Sequence, residues 1–186
     1  MLLRAITTLT CSCLLATAAL AQQPMGNMKM DQPAGKALPS PKADASVKLN
    51  GKDITIHYNA PSVRGRKIMG EVVPYGKVWR TGANEATTLV TAGDLKIGTL
   101  TVPAGTYTLY TLPSANHWQL IVNKQTGQWG TEYKQDQDLG RVDMQAHTLP
   151  TPQEVMSISF QRTRGNTTEL HIKWETTDAS VPITAE

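Results

Sequence analysis

Ala45-Ser46-Val47-Lys48-Leu49-Asn50-Gly51-Lys52-Asp53-Ile54-Thr55-Ile56-His57-Tyr58 has a period of two on both sides of Asn50-Gly51. Val47 and Leu49 alternate with Ser46 and Lys48, and Ile54, Ile56 and Tyr58 alternate with Asp53, Thr55 and His57. Successive side chains of a strand point to opposite faces, so each run reads as a strand with one apolar and one wet face. Asn-Gly between them is the pair a two-residue type I′ turn requires, because both central positions need positive φ. The stretch is a β-hairpin, and its pattern recurs down the chain.

Thr87 to Val90 reads as a strand, and Leu95–Ile97 and Leu100–Val102 flank Gly98-Thr99 as a second hairpin. Tyr107, Leu109 and Thr111 alternate after the Pro103-Ala104-Gly105 turn; Trp118, Leu120 and Val122 follow the next turn. Val142 to Thr148 reads as one strand and Met156-Ile158-Phe160 as another, separated by Pro150 and Pro152. Leu170, Ile172 and Trp174 close the series after Arg164-Gly165-Asn166. No segment carries a helical period. The expectation is all-β: an antiparallel β-sandwich or barrel-like sheet of about nine or ten short strands. Ile54, Ile56, Leu109, Leu120, Val122, Ile158, Phe160, Leu170, Ile172 and Trp174 are its expected core. Two long polar connections, from Asn59 to Lys77 and from Asn123 to Arg141, stand apart, and long ordered loops are where function concentrates.

Upstream of the hairpin the composition changes. Arg4, the small apolar stretch Ala5 to Ala18 and the Ala19-Leu20-Ala21 pattern read as a cleaved signal peptide over residues 1–21. The implied location is periplasmic or secreted. Cleavage near Ala21 removes Cys11 and Cys13, the only cysteines, so no disulfide and no thiol nucleophile is expected in the mature chain. Residues 22–44, with Pro24, Pro33, Pro39 and Pro41, read as a disordered Met/Pro/Gly linker. The domain is placed at 45–183, with 184–186 as a tail.

Net charge is +3, with 18 Lys+Arg against 15 Asp+Glu and no basic run, so a nucleic-acid partner is excluded. No integral membrane span is expected after cleavage. There is no G-x-S-x-G elbow, no H-E-x-x-H, no P-loop and no dinucleotide fingerprint. No cofactor is implied. His57 and His171 fall on outward strand faces, where a solvated sheet face is the favoured reading over metal chelation.

Several blocks resemble a bacterial family known as domain of unknown function number twenty-nine eleven. They are Pro61-Ser62-Val63-Arg64-Gly65-Arg66-Lys67-Ile68-Met69-Gly70, Val73-Pro74-Tyr75-Gly76-Lys77-Val78-Trp79-Arg80-Thr81-Gly82-Ala83-Asn84-Glu85-Ala86-Thr87, Val102-Pro103-Ala104-Gly105-Thr106-Tyr107 and Asn123-Lys124-Gln125-Thr126-Gly127-Gln128-Trp129-Gly130. The resemblance covers about Asp44 to Ile183. It implies an exported, β-rich domain and brings no assigned activity.

The residues with chemistry to offer lie in the two connections. Arg64, Arg66 and Arg80 present planar, two-pronged donors suited to carboxylate or phosphate. Asn84 and Glu85 can hydrogen-bond hydroxyls. Trp79 and Trp129 offer flat surfaces, Trp129 between Gly127 and Gly130. These seven residues, Arg64, Arg66, Trp79, Arg80, Asn84, Glu85 and Trp129, are the expected ligand-binding set, for an anionic or polyhydroxylated small molecule. The competing view is that the arginines knit the loops to the sheet and Trp79 plugs the core. The leading function is a non-catalytic binding or interaction module of the cell envelope. The alternative is a hydrolase acting on an envelope polymer or sugar, with Glu85 as acid or base and Glu132 or Asp136 as its second carboxylate. A second alternative is copper handling through the soft thioethers of Met25, Met28 and Met30.

Overall fold

A computed structural model describes residues 40–186 apart from residue 116. The expected signal peptide, most of the expected linker and the methionine trio lie outside the described residues. Nine strands form one antiparallel sheet: β1 (Lys42–Leu49), β2 (Lys52–Asn59), β3 (Thr87–Thr91), β4 (Leu95–Ile97), β5 (Leu100–Val102), β6 (Gly105–Leu112), β7 (Trp118–Asn123), β8 (Asp138–Arg164) and β9 (Thr167–Ala185). Their spatial order is β1-β2-β3-β6-β7-β8-β9-β4-β5. The Asn50-Gly51 turn has positive φ at both residues, 48° and 75°, as type I′ geometry demands.

β8 joins the two halves of the sheet. Asp138 to Met144 pairs with β7, and Gln145 to Arg164 pairs with β9. The sheet stays open rather than closing into a barrel. One apolar cluster draws Ile54, Leu89, Leu109 and Leu120 from the first half and Leu170, Ile172, Trp174 and Val181 from the second. The two halves therefore share a core, as the layers of a sandwich do.

Several details differ from the sequence reading. The two strands expected on either side of Pro150 and Pro152 are one. The prolines fall between the pairs Thr148↔Thr177 and Gln153↔Glu175, where the register shifts and neither proline occupies a paired position. β1 begins at Lys42, inside the expected linker, and Thr184 and Ala185, expected as tail, pair with Lys96 and Leu95. Nine of the ten expected core residues are buried; Phe160 is only partly buried and packs against the core edge. β6 and β7 are covered on both faces. Tyr110 and Ile121, on their outer face, are fully buried with Ala86 in a second cluster, flanked by Tyr133 from the second connection. His171 is buried rather than solvated. Its Nδ1 lies 2.8 Å from Asp178 and its Nε2 3.3 Å from Glu169, while exposed His57 sits on β2, which is not a neighbour of β9.

Candidate functional site

The first connection runs on past Lys77, over residues 60–86 from β2 to β3, and reaches the site through Trp79. Its backbone pairs with Thr111, at 2.8 Å in both directions, and its indole stacks on Trp174 with centroids 5.8 Å apart and planes at 18°. Trp79 Nε1 donates to Gly82 O at 3.2 Å. This root turns Arg80 to Ala86 across the outer face of the sheet. Thr81 is fully buried at φ 56°, and Asn84 sits at φ 58°. A β-branched residue in the left-handed region is strained, because its Cβ crowds the neighbouring carbonyl. The Thr87 hydroxyl, donating to Thr81 O at 2.9 Å, helps hold the turn.

The second connection meets this segment edge to edge. Ala86 N donates to Gln128 O at 3.3 Å and Gly130 N to Asn84 O at 3.1 Å, so Glu85 and Trp129 sit opposite each other in a short antiparallel bridge. A Cβ at position 130 would collide with Arg80 Cδ and Asn84 O, so glycine is required there. The second connection is itself well anchored. Tyr110 donates to Glu132 O at 2.8 Å, and Gln128 Nε2 donates to Thr108 Oγ1 and Tyr110 Oη. Asp138 accepts from Tyr133 Oη at 2.7 Å and from Arg141 Nη2 at 3.0 Å. Burial first, and the hydrogen bond to Asp138 second, push the Tyr133 hydroxyl up to about 12.

A cleft of about 360 Å³ opens on the β1–β2 side of Glu85, with Lys42, Asp44, His57, Asn59 and Thr88 among its lining. Asn59 is 4% exposed and its Nδ2 donates to Glu85 Oε2 at 2.9 Å. Its backbone carbonyl accepts from Ala83 N at 3.2 Å, tying β2 to the strained segment. Across the hairpin, His57 Nδ1 and Asp44 Oδ1 are 2.6 Å apart. Five buried side-chain polar atoms have no hydrogen-bond partner among the described residues: Asn59 Oδ1, Arg80 Nε, Gln125 Oε1, Gln128 Oε1 and Trp174 Nε1. All belong to the two joined connections or to residues in direct contact with them. Orphaned buried polar groups are rare and costly, and Asn59, Arg80 and Gln128, each in contact with the residues of the junction, bring three of them there beside its backbone strain.

A family model described as "Protein of unknown function (DUF2911)" matches residues 40–183. The chain belongs to that family. No curated protein and no solved structure matches it. In this DUF2911 domain, Arg80, Asn84, Glu85 and Trp129 come together at the junction, and Trp129 is 46% exposed. Trp79 is engaged in packing against Trp174. Arg64 and Arg66 lie apart, on a turn braced by β8: Arg64 N donates to Glu154 Oε1 at 2.9 Å, and Arg66 donates to Ser62 O and Val63 O. Glu132 and Asp136 do not line the cleft; the carboxylate that joins Glu85 there is Asp44. No cluster of metal-ligating side chains is present among the described residues.

Sequence reasoning missed Asp44 and Asn59. Asp44 sat in a stretch whose prolines and glycines masked its pairing. Asn59 falls on the polar phase of β2, after Asp53, Thr55 and His57, so the alternation gave no signal of its burial.

Proposed function

We propose that this DUF2911 domain is an exported, non-catalytic binding module of the cell envelope, which takes a polyhydroxylated small molecule at the Glu85–Trp129 junction. The observation that carries this reading is the exposed Trp129 indole held in backbone register with the exposed carboxylate of Glu85. An indole face stacks on the C–H face of a sugar ring, and a carboxylate beside it accepts the ring's hydroxyl protons. An anionic ligand fits less well, because Arg64 and Arg66 stand away from the junction and two carboxylates line the adjoining cleft. A glycosidase calls for a proton-donating carboxyl sheltered from water beside an ionised one, and both Asp44 and Glu85 are exposed.

Calorimetric titration of the purified domain with a panel of neutral oligosaccharides tests the reading. Binding is expected for at least one of them, lost in Trp129→Ala and weakened in Glu85→Gln with the fold intact. A panel without binders, or binding left unchanged by both substitutions, overturns it. Export is tested separately by intact mass of protein recovered from the envelope. A chain beginning near Gln22 is expected, and one retaining Met1 would contradict export by cleavage.

A further inference from the structure

The cleft behind Glu85 is a separate space from the Trp129 surface, and its chemistry is one-sided. Two carboxylates, Glu85 and Asp44, face it, against one lysine, Lys42, which makes no ion pair among the described residues. His57 is engaged with Asp44 at 2.6 Å. Glu85 is held from one side by Asn59 Nδ2, which leaves its other oxygen for a donor from outside. Asn59 belongs to the cleft lining, is 4% exposed, and its Oδ1 has no donor. Amide geometry keeps that oxygen within a few ångströms of the Glu85 carboxylate. The cleft thus sets two carboxylates against a single ammonium, that of Lys42, and leaves one oxygen of Glu85 without a donor among the described residues. A hydroxyl satisfies one acceptor and leaves the charge unanswered; an ammonium group brings three donors and a compensating charge.

We propose that this cleft is an ammonium subsite, and that the ligand is a cationic amino sugar. Its ring lies on Trp129, and its protonated amine enters between Glu85 and Asp44. This rests on the binding reading above and adds the ligand class to it. Asn59 is the positioning residue: it fixes the Glu85 carboxylate while tying the Ala83 backbone to β2. Lys42 limits the affinity by sharing the cleft with the incoming charge.

The test is an NMR titration of the ¹⁵N-labelled domain at neutral pH with methyl β-glucoside and with its 6-amino-6-deoxy analogue. The two share the ring and differ in one charged group. The amine is expected to bind at least tenfold more tightly, with the Trp129 indole signal shifting for both. Glu85→Gln should reduce that preference to under threefold, Asp44→Asn should reduce it part-way, and Lys42→Ala should increase it. Glucoside binding with no preference for the amine overturns the ammonium subsite and leaves the binding reading standing. A preference that persists in Glu85→Gln also overturns the subsite, since the amine then sits elsewhere. No shift at Trp129 with either compound removes the binding reading as well.

Discussion

The two long connections meet at one bridge and are held by opposite means. The second, from Asn123 to Arg141, closes on itself. Tyr133, Asp138 and Arg141 form a three-way clasp, Tyr110 reaches up from β6, and among the described residues the only positive φ in it is at Gly127. The first is rooted in the core by Trp79, continues through Arg80, whose Nε is buried with no partner among the described residues, and then takes left-handed φ at Thr81 and Asn84. Gln125 and Gln128 leave the second connection an unmet amide oxygen each, but its backbone is unstrained; the first sets an unmet buried donor, Arg80 Nε, beside left-handed backbone at two non-glycine residues, Thr81 and Asn84. A recognition surface needs this division. The unstrained loop supplies the rigidity, and the strained one presents Glu85 against it, opposite Trp129.

The sharpest way to break the contrast is at the root. Trp174→Ala removes the surface on which Trp79 stacks and should cost about 3–5 kcal/mol in chemical denaturation. A loss under about 1 kcal/mol would show that the first connection is not anchored in the core.

Next is the clasp. Tyr133→Phe removes a hydrogen bond to an ionised partner and should cost about 1.5–3 kcal/mol. The hydroxyl is raised in the folded state to about 12, from an ordinary 10.0, so the folded protein binds this proton more tightly than the unfolded chain. Its contribution to stability is therefore complete below about pH 10 and is lost as pH climbs toward 12. Stability curves of wild type and Tyr133→Phe should converge over that window. Parallel curves would remove the clasp from the account of the second loop.

The strain predicts a smaller effect. Asn84→Gly should be nearly neutral, while Asn84→Ala, forced to place a Cβ at positive φ, should be about 1 kcal/mol less stable than the glycine variant. Equal stability of the two would mean that the turn relaxes and stores nothing. Smallest of all, Glu85→Gln should shift stability by under about 0.5 kcal/mol, because Glu85 is an exposed residue. A larger loss would recast Glu85 as a brace of the loop.

The strands were legible because alternation is local: β2, β6, β7 and β9 show their inner faces residue by residue. Where a face is decided by something distant, the pattern failed. Ile121 and Tyr110 looked outward and are buried, because a connection more than ten residues away folds over them. His171 looked solvated and is enclosed, because β9 shifts register near Glu175 and brings Asp178 back beside it. At the site, the Glu85–Trp129 meeting was anticipated from residue types alone. The separation of Arg64 and Arg66 from it was not, since nothing in their spacing signals that Ser62 pairs with Val155 on β8. Asp44 and Asn59 became visible only once the hairpin register placed them beside Glu85.

β8 and β9 are joined by a tight turn at Gly165, at φ 58°, and form the longest ladder in the molecule. Most other pairings must close far longer loops, such as Leu95 with Ala185. The order of assembly follows from this. The long hairpin closes a loop as short as those at Asn50-Gly51 and Gly98-Thr99 and gains more strand pairs from it than either. The shared strand then templates β7 on one side and the pairing of β9 with β4 on the other. Folding is expected in the millisecond-to-second range of sheets rich in distant contacts. Gly165→Val, strained at positive φ and early in the sequence of events, should slow refolding more than it speeds unfolding in a stopped-flow chevron.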